Sequence, residues 1–431
     1  MKILYLTEFL SAIGGGGEVA FQEIAKAIAK RGHAVHILCY DSVDTNSSSV
    51  AKADRNDKYS MSIYRIKPKL RLAHGHFPSI LQQGAYIVNA LIKGAQVIRK
   101  SEIDVIHANT LCPAIAGTIL AVIFHKPVVI TVHHVYTLKS KQYRTIKECS
   151  TARSIILSWI SDLPKLICEK IIVSLPVDVI HAVSESTKSD LIRFGARSKV
   201  AVISNGIDIT RYQTDHADSL ESSDIVLFIG RLVEYKNLNV VVSAFRIIAK
   251  EHPKAKLVIV GDGPARDKLE SMALSLGISG KVEFTGYIPD EKKLQLLHIC
   301  SVLVFPSLIE GFGLAILEGL AAGKPVLVSN VAPSNEIIRN GIEGFVLPPL
   351  EANEWACKIL SLIQDTVSQR EIGTNGKKTA ATDFDISKIA ERFDLLYRYV
   401  ISKHVMGQKT NSQTTAPVRA VTAPPEQSSV L

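Results

Sequence analysis

Two carboxylates, Glu310 and Glu318, stand eight positions apart in the run Ser307-Leu-Ile-Glu310-Gly311-Phe312-Gly313-Leu314-Ala-Ile-Leu-Glu318. The apolar stretch Val302-Leu-Val-Phe305 ahead of it reads as a buried strand ended by Pro306, and Gly311 and Gly313 let the backbone turn tightly into a helix. A strand, a glycine turn and a helix start make an anion site, because the free N–H groups and the helix dipole point at the same charge. With the helix beginning near Gly313, helical rise sets the two carboxylates roughly 12 Å apart along the axis. Carboxyl pairs that share one glycosidic bond sit about 5–10 Å apart. The longer spacing suits gripping two ends of one ligand: a sugar at Glu310, a ribose at Glu318, and a pyrophosphate on the helix start between them. An isolated E-x7-E pair is more often an ordinary loop carboxylate followed by one on a helix face, so its surroundings carry the weight.

Three further glycine turns follow apolar runs in the same order. Ile13-Gly14-Gly15-Gly16-Gly17-Glu18 places flexible backbone between a first strand and a helix from about Val19. Its spacing is not G-x-G-x-x-G, and neither a P-loop lysine nor the acidic ribose residue of dinucleotide sites is clear, which leaves dinucleotide binding a weak alternative. Ile229-Gly230-Arg231-Leu-Val-Glu-Tyr-Lys236-Asn237 carries two cations five residues apart, able to neutralise a pyrophosphate as it leaves. Val260-Gly261-Asp-Gly263-Pro264-Ala-Arg266 is a third unit, with Pro264 suited to a first helical turn; Gly261 and Gly263 are expected to shape the nucleotide pocket. Asp383-Phe-Asp385 resembles a metal-binding D-x-D, but it directly precedes a helical pattern, and capping explains it better.

The elements that must position these groups are legible as a rhythm. Buried runs at 3–6, 35–39, 105–108, 128–132 and 179–182 alternate with helical patterns, as at 20–30. The rhythm stops at Ser204-Asn-Gly-Ile-Asp208, crosses a polar stretch at 213–224, and resumes at 225–229, 257–260, 282–284, 302–305, 326–329 and 344–347. The expectation is an α/β chain of two Rossmann-like, doubly wound parallel-sheet domains facing across a cleft, at 1–205 and 206–385. Phe393, Leu396, Tyr397 and Val400 fall on neighbouring turns of a closing helix, about 386–403, expected to pack back on the first domain. Residues 407–431, rich in Ser, Thr, Ala and Pro, are expected to be disordered.

The chain has 431 residues, 47% hydrophobic and 21% charged, enough for two globular cores. A net charge of +9 favours anionic partners without choosing among nucleotides, phospholipid surfaces and nucleic acid. Cys39, Cys112, Cys149, Cys168, Cys300 and Cys357 show no C-x-x-C spacing, so they read as reduced thiols of a cytosolic protein, with no zinc site or redox pair. The apolar start is broken by Glu8 and reads as a first strand rather than a signal peptide. The longest apolar stretch, 114–132, is interrupted by His125-Lys126-Pro127, which argues against a membrane span. Two stretches mix cations with apolar residues: Arg65, Lys67, Lys69 and Arg71 up to Phe77, and Lys139, Lys141, Arg144, Lys147 and Arg153 through Trp159 to Lys170. Each reads either as a solvated edge or as a contact with an anionic membrane surface.

In one order, Gly230-Arg231 to Lys236-Asn237, Gly261-Asp-Gly263-Pro264, Phe284-Thr-Gly286-Tyr and Glu310-Gly-Phe-Gly through Glu318 closely resemble the retaining glycosyltransferases of family 4, whose fold is called GT-B. Ser204-Asn-Gly-Ile-Asp208 is similar to the interdomain motif of that family, His181-Ala-Val-Ser184 to its serine-bearing strand end, and Gly15-Gly16 with Glu18 to its N-terminal loop. The resemblance covers nearly the whole chain. It implies that Arg231 and Lys236 bind the donor diphosphate, Glu310 the sugar and Glu318 the ribose, with Gly15, Gly16, Gly261, Gly263, Gly311, Phe312, Gly313 and Leu314 lining the nucleotide-sugar site. It places His133 near the reacting carbon. The family usually follows that histidine with aspartate, whereas this chain has His134, so the histidine that points inward stays open. The implied activity is retaining transfer of a hexosyl group from a UDP- or GDP-sugar to a glycan or lipid-linked acceptor, with the nucleotide sugar as a substrate, no tightly bound cofactor and no required metal. Nucleic acid is not among the implied partners. A sugar-nucleotide epimerase of the same fold, or a non-catalytic nucleotide-sugar subunit of a glycan-assembly complex, are the alternatives.

Overall fold

A computed structural model describes residues 1–10, 15–42, 60–70, 80–109, 111–139, 163, 166–213 and 223–414. The first half forms a seven-stranded sheet from β1 (Lys2–Leu6), β2 (Ala34–Ser42), β3 (Met61–Leu70), β4 (Val105–Ala108), β5 (Val128–Val132), β6 (Val179–Ala182) and β7 (Lys199–Val202), in the order β3-β2-β1-β4-β5-β6-β7. The second half forms a six-stranded sheet from β8 (Ile225–Ile229), β9 (Lys256–Val260), β10 (Val282–Gly286), β11 (Val302–Phe305), β12 (Val326–Ser329) and β13 (Gly344–Leu347), in the order β10-β9-β8-β11-β12-β13. Every strand pair is parallel. In both sheets the order reverses beside the first strand, at β1/β4 and at β8/β11, and a parallel α/β sheet opens its ligand crevice at such a switch point.

The buried runs become strands because helices cover them on both faces. β1, β4, β5 and β11 are buried along almost their whole length. β3 and β7 have no such run, and the sequence rhythm misses them. They are edge strands, with water on one side and polar or basic residues among the apolar ones, as edges require. β3 also changes the reading of the first basic stretch: Arg65 lies on an edge strand rather than ahead of a helix. The remainder of that stretch, 71–77, lies outside the described residues, as does most of the second one, of which only Lys139, 163 and 166–170 are described.

The last helix, Ile386–Thr414, runs past Gly407, where disorder was expected to begin; 415–431 lie outside the described residues. Its residues Ile386, Ile389, Phe393, Tyr397 and Val400 are buried against Tyr5, Phe21, Ile24 and Ile28 of the first half. A buried polar chain fixes this docking. His181 Nε2 donates to the Ile203 carbonyl (2.7 Å), which leaves its Nδ1 to accept from Thr131 Oγ1 (2.9 Å). Thr131 in turn accepts from His107 Nε2 (2.7 Å), His107 Nδ1 accepts from the Tyr397 hydroxyl (2.7 Å), and Tyr397 accepts from Tyr5 (2.6 Å). One terminal carbonyl thus sets the direction of every bond and keeps both imidazoles neutral. Burial pushes the His181 ring down to about 4 and holds His107 well below its usual range, with the neighbouring His181 and His133 rings adding to the effect. Asp385 caps the helix, its Oδ1 accepting from Ser387 N (2.7 Å), in keeping with the capping reading of the D-x-D.

Candidate functional site

Three glycine turns of the second half are stitched into one wall. Leu232 N bonds the Asp262 carbonyl (2.9 Å), Ala265 N bonds Leu232 (2.9 Å), and Gly261 N bonds Gly286 (2.9 Å). The approach is so close that a Cβ on Gly261, whose φ is +125°, would lie 2.0 Å from the Gly230 carbonyl oxygen. Leu308 N reaches the Tyr235 carbonyl (2.8 Å) and so ties the turn carrying Lys236 to the turn carrying Glu310. The helix Leu314–Ala321 begins at Gly313, φ +102°, in a conformation that side chains rarely adopt. At its mouth Lys236 Nζ donates to Glu310 Oε2 at 2.6 Å, with only 17% and 13% of the two side chains exposed. Just over one turn into the helix, Glu318 pairs with Lys293 at 3.1 Å and accepts from the Tyr212 hydroxyl, whose ionisation is pushed far up by burial and by the Glu318 charge.

The first half presents the ends of β1, β4 and β5 to this wall. The helix Gly16–Lys30 starts at Gly15, φ +117°, without a side-chain cap, and a Cβ on Gly16 would meet Leu314 Cδ1 at 4.0 Å. Two helix starts, one from each half, therefore face each other. Glu18, in the first turn, is raised by burial and drawn back by Arg231 across the gap. A Cβ on Gly17 would lie 2.9 Å from His133 Cδ2, so the glycine loop lies directly on that ring. His133 Nε2 bonds Asn109 Oδ1 at 3.0 Å, and burial, with His134 and His181 adding to it, pushes His133 down to about 3. His134 points to the other half: its Nδ1 is 3.6 Å from where a Gly311 Cβ would stand. Glu8, just past β1, is half-buried beside Cys112 at the start of the helix Cys112–Phe124; the loss of water around it pushes its carboxyl up to about 7.

A family model for Glycosyltransferase Family 4 matches residues 14–211, and one for Glycosyl transferases group 1 matches residues 213–379. The two matches meet in the segment between the sheets and together take in both halves of the cleft. The chain belongs to the family 4, group 1 glycosyltransferases. An uncharacterized glycosyltransferase of Methanocaldococcus jannaschii is 26% identical over 431 residues, covering 95% of this chain and 100% of that protein. The capsular polysaccharide biosynthesis glycosyltransferase CapM of Staphylococcus aureus is 26% identical over 324 residues, covering 72% of this chain and 80% of its own. Among solved structures, Anabaena HepE in complex with UDP and glucose superposes with a TM-score of 0.71 at 22% identity, over 93% of this chain and 100% of its own. Sucrose-phosphate synthase of Thermosynechococcus elongatus does so at 0.73 and 20%, over 94% and 100%. The fold is GT-B.

In this glycosyltransferase the residues singled out by sequence fall into one cleft, with differences of detail. Gly15, Gly16, Arg231, Lys236, Gly261, Gly263, Glu310, Gly311, Gly313, Leu314 and Glu318 lie along its walls. Phe312 offers only backbone: its ring is 6% exposed and packs edge-on against Phe384, 6.2 Å between centroids. Lys236 and Glu310, read as separate diphosphate and sugar ligands, hold each other. Lys293, Tyr212 and Asn109 were not found by sequence reasoning. Lys293 is one of several cations on an ordinary helix, Asp290–Ile299, and no spacing rule connects it or Tyr212 to Glu318. Asn109 carries a signal in hindsight, as a polar residue directly after a buried strand at the switch point. Among the described residues no group of three or more His, Cys, Asp or Glu side chains is placed to hold a metal ion.

Proposed function

We propose that this glycosyltransferase is a retaining hexosyltransferase that uses a UDP- or GDP-sugar and a glycan or lipid-linked acceptor. The observation that carries it is the half-enclosed Lys236–Glu310 pair at the mouth of the helix Leu314–Ala321, with the helix start at Gly16 opposite. A diphosphate there meets Lys236, Arg231 and two helix starts, while Glu310 is left to bond sugar hydroxyls and Glu318 the ribose. Residues 1–205 then serve the acceptor and 206–385 the donor. The HepE structures hold UDP and UDP-glucose, which favours uridine among the bases. In the reaction an acceptor oxygen forms a bond to the anomeric carbon on the face from which the β-phosphate oxygen departs. The carbon–phosphate-oxygen bond breaks, its electron pair goes to the diphosphate, and the acceptor proton passes to that leaving oxygen. Arg231 and Lys236 stabilise the charge released, and His133, neutral and oriented by Asn109, lies beside the reacting carbon. Thermal-shift screening of UDP, GDP, ADP and their sugars, followed by assignment of the product anomer by NMR, tests this. No stabilisation by any nucleotide, or an inverted product, would sink it.

We further propose that the acceptor is met at an anionic membrane surface. The helices Ile80–Ser101 and Cys112–Phe124 lie side by side, so close that a Cβ on Gly94 would be 2.5 Å from Leu120. Their outer faces carry Val88, Ile92, Ile119, Val122 and Ile123, between 37% and 59% exposed. Lys93, Arg99 and Lys100 stand beside them, and neither helix contains an Asp or Glu. A second copy of the chain would set these cations against their own kind, whereas anionic headgroups complement them. No described helix is long and apolar enough to cross a membrane. Co-sedimentation with phosphatidylglycerol vesicles but not phosphatidylcholine vesicles is expected, and loss of it in Ile92→Glu/Ile123→Glu; binding that ignores lipid charge would overturn this reading.

A further inference from the structure

The adjacent histidines after β5 have different surroundings. His133 is enclosed by its own half: Asn109 takes Nε2, the Gly17 backbone lies on the ring, and Thr187 Oγ1 reaches its carbonyl at 3.4 Å. His134 is turned towards the other half, beside Gly311, and its Nδ1 is buried without a hydrogen-bond partner. A buried ring nitrogen with nothing to bond is costly, and it calls for a partner that a water, an ion or a ligand can supply. Burial and the Lys139 charge hold this imidazole below its usual range, against the pull of Glu310, so it is neutral. A neutral ring suits a hydroxyl better than a phosphate oxygen, which the cations Arg231 and Lys236 serve. Its neighbours are Gly311 and Glu310, not Glu318, which puts it at the sugar end of the cleft.

We propose that His134 is a sugar-reading residue, its Nδ1 bonding a hydroxyl of the transferred sugar from the side opposite Glu310. Resting on the nucleotide-sugar reading of the cleft, this proposal adds to it a contact from the N-terminal half. The bond is present in the bound sugar nucleotide and absent with the nucleotide alone, so it contributes to choice of sugar and not to nucleotide affinity.

The test is calorimetric titration of the full chain with UDP, UDP-glucose, UDP-galactose and UDP-N-acetylglucosamine. Wild type is compared with His134→Ala, His134→Asn, Glu310→Ala and the His134→Ala/Glu310→Ala double variant. The expected result for His134→Ala is UDP binding within twofold of wild type and about tenfold weaker binding of the preferred sugar nucleotide. His134→Asn, which returns a polar atom near the Nδ1 position, recovers part of that loss. Equal weakening of UDP and its sugars, or no weakening, overturns the proposal, as does a wild type that binds every sugar alike. If His134→Ala has no effect once Glu310 is Ala, the histidine acts through Glu310 and the direct bond is overturned. Wild type that binds none of the four ligands removes the uridine-sugar reading itself, an outcome separate from failure of His134 alone.

Discussion

Lys236 and Glu310 hold each other at 2.6 Å, and on the proposed reading each is a placeholder for the part of the donor assigned to the other. Glu310→Ala is expected to lower transfer by about 100-fold or more while leaving nucleoside diphosphate affinity intact or tighter, because Lys236 is released. Equal loss of turnover and nucleotide binding in calorimetry would contradict its assignment to the sugar. Lys236→Ala is expected to weaken nucleoside diphosphate binding by about 1.5 kcal/mol or more, as for a lost charged hydrogen bond, and unchanged affinity would remove it from the cradle. Glu8 makes a different demand. Its carboxyl rises from 4.5 to about 7 because it is buried, with Glu18 adding to the rise and Cys112 opposing it. A carboxyl raised on folding leaves stability intact below its unfolded value and takes it away as pH climbs through the folded one. Wild type is therefore expected to lose about 2 kcal/mol more than Glu8→Gln between pH 5 and pH 8 in urea unfolding; parallel profiles would show that Glu8 is not the group responsible.

The turns decide more than the strands do. Gly261 is boxed in by the Gly230 carbonyl, so Gly261→Ala must push two nucleotide-side turns apart as well as strain a φ of +125°. A loss of about 2–4 kcal/mol of stability, together with weaker nucleotide binding, is expected; a variant with wild-type melting and affinity would show that the two turns move freely. At this scale the sequence was readable wherever a strand carries an apolar run: β1, β2, β4, β5, β6 and the strands of the second sheet, its edges β10 and β13 included, announce themselves in this way. The edges β3 and β7 do not, because a strand wetted on one side need not be apolar throughout. The glycine turns were legible by position, since only they break the apolar rhythm. Pairings across them were not. That Glu18 meets Arg231, or that Tyr212 and Lys293 share Glu318, depends on how the two halves pack, and no local spacing encodes it.

Across the whole molecule the halves are joined by more than the linker. Glu336 of the second half accepts from Glu185 N (3.1 Å) and Ser186 N (2.9 Å) at the start of the helix Glu185–Phe194 in the first. Lys139 crosses the other way to the Ala332 carbonyl at 3.0 Å. Removing a carboxylate from a helix start loosens this closure, so Glu336→Ala is expected to raise the radius of gyration in solution scattering and lower donor affinity a few-fold; an unchanged scattering curve would show that the cleft is held by other contacts. The return of the final helix to the first sheet has another consequence, in the order of synthesis. The face of that sheet lined by Ile3, Tyr5, Val35 and Ile37 is completed by Phe393, Tyr397 and Val400, which leave the ribosome about 190–200 residues after β7. At usual elongation rates of about 5–20 residues per second, that surface stays open for roughly 10–40 s. Throughout that interval the nascent chain displays, beside the helix Gly16–Lys30, an apolar strip of sheet that its own last helix later covers, a surface open to chaperones during translation.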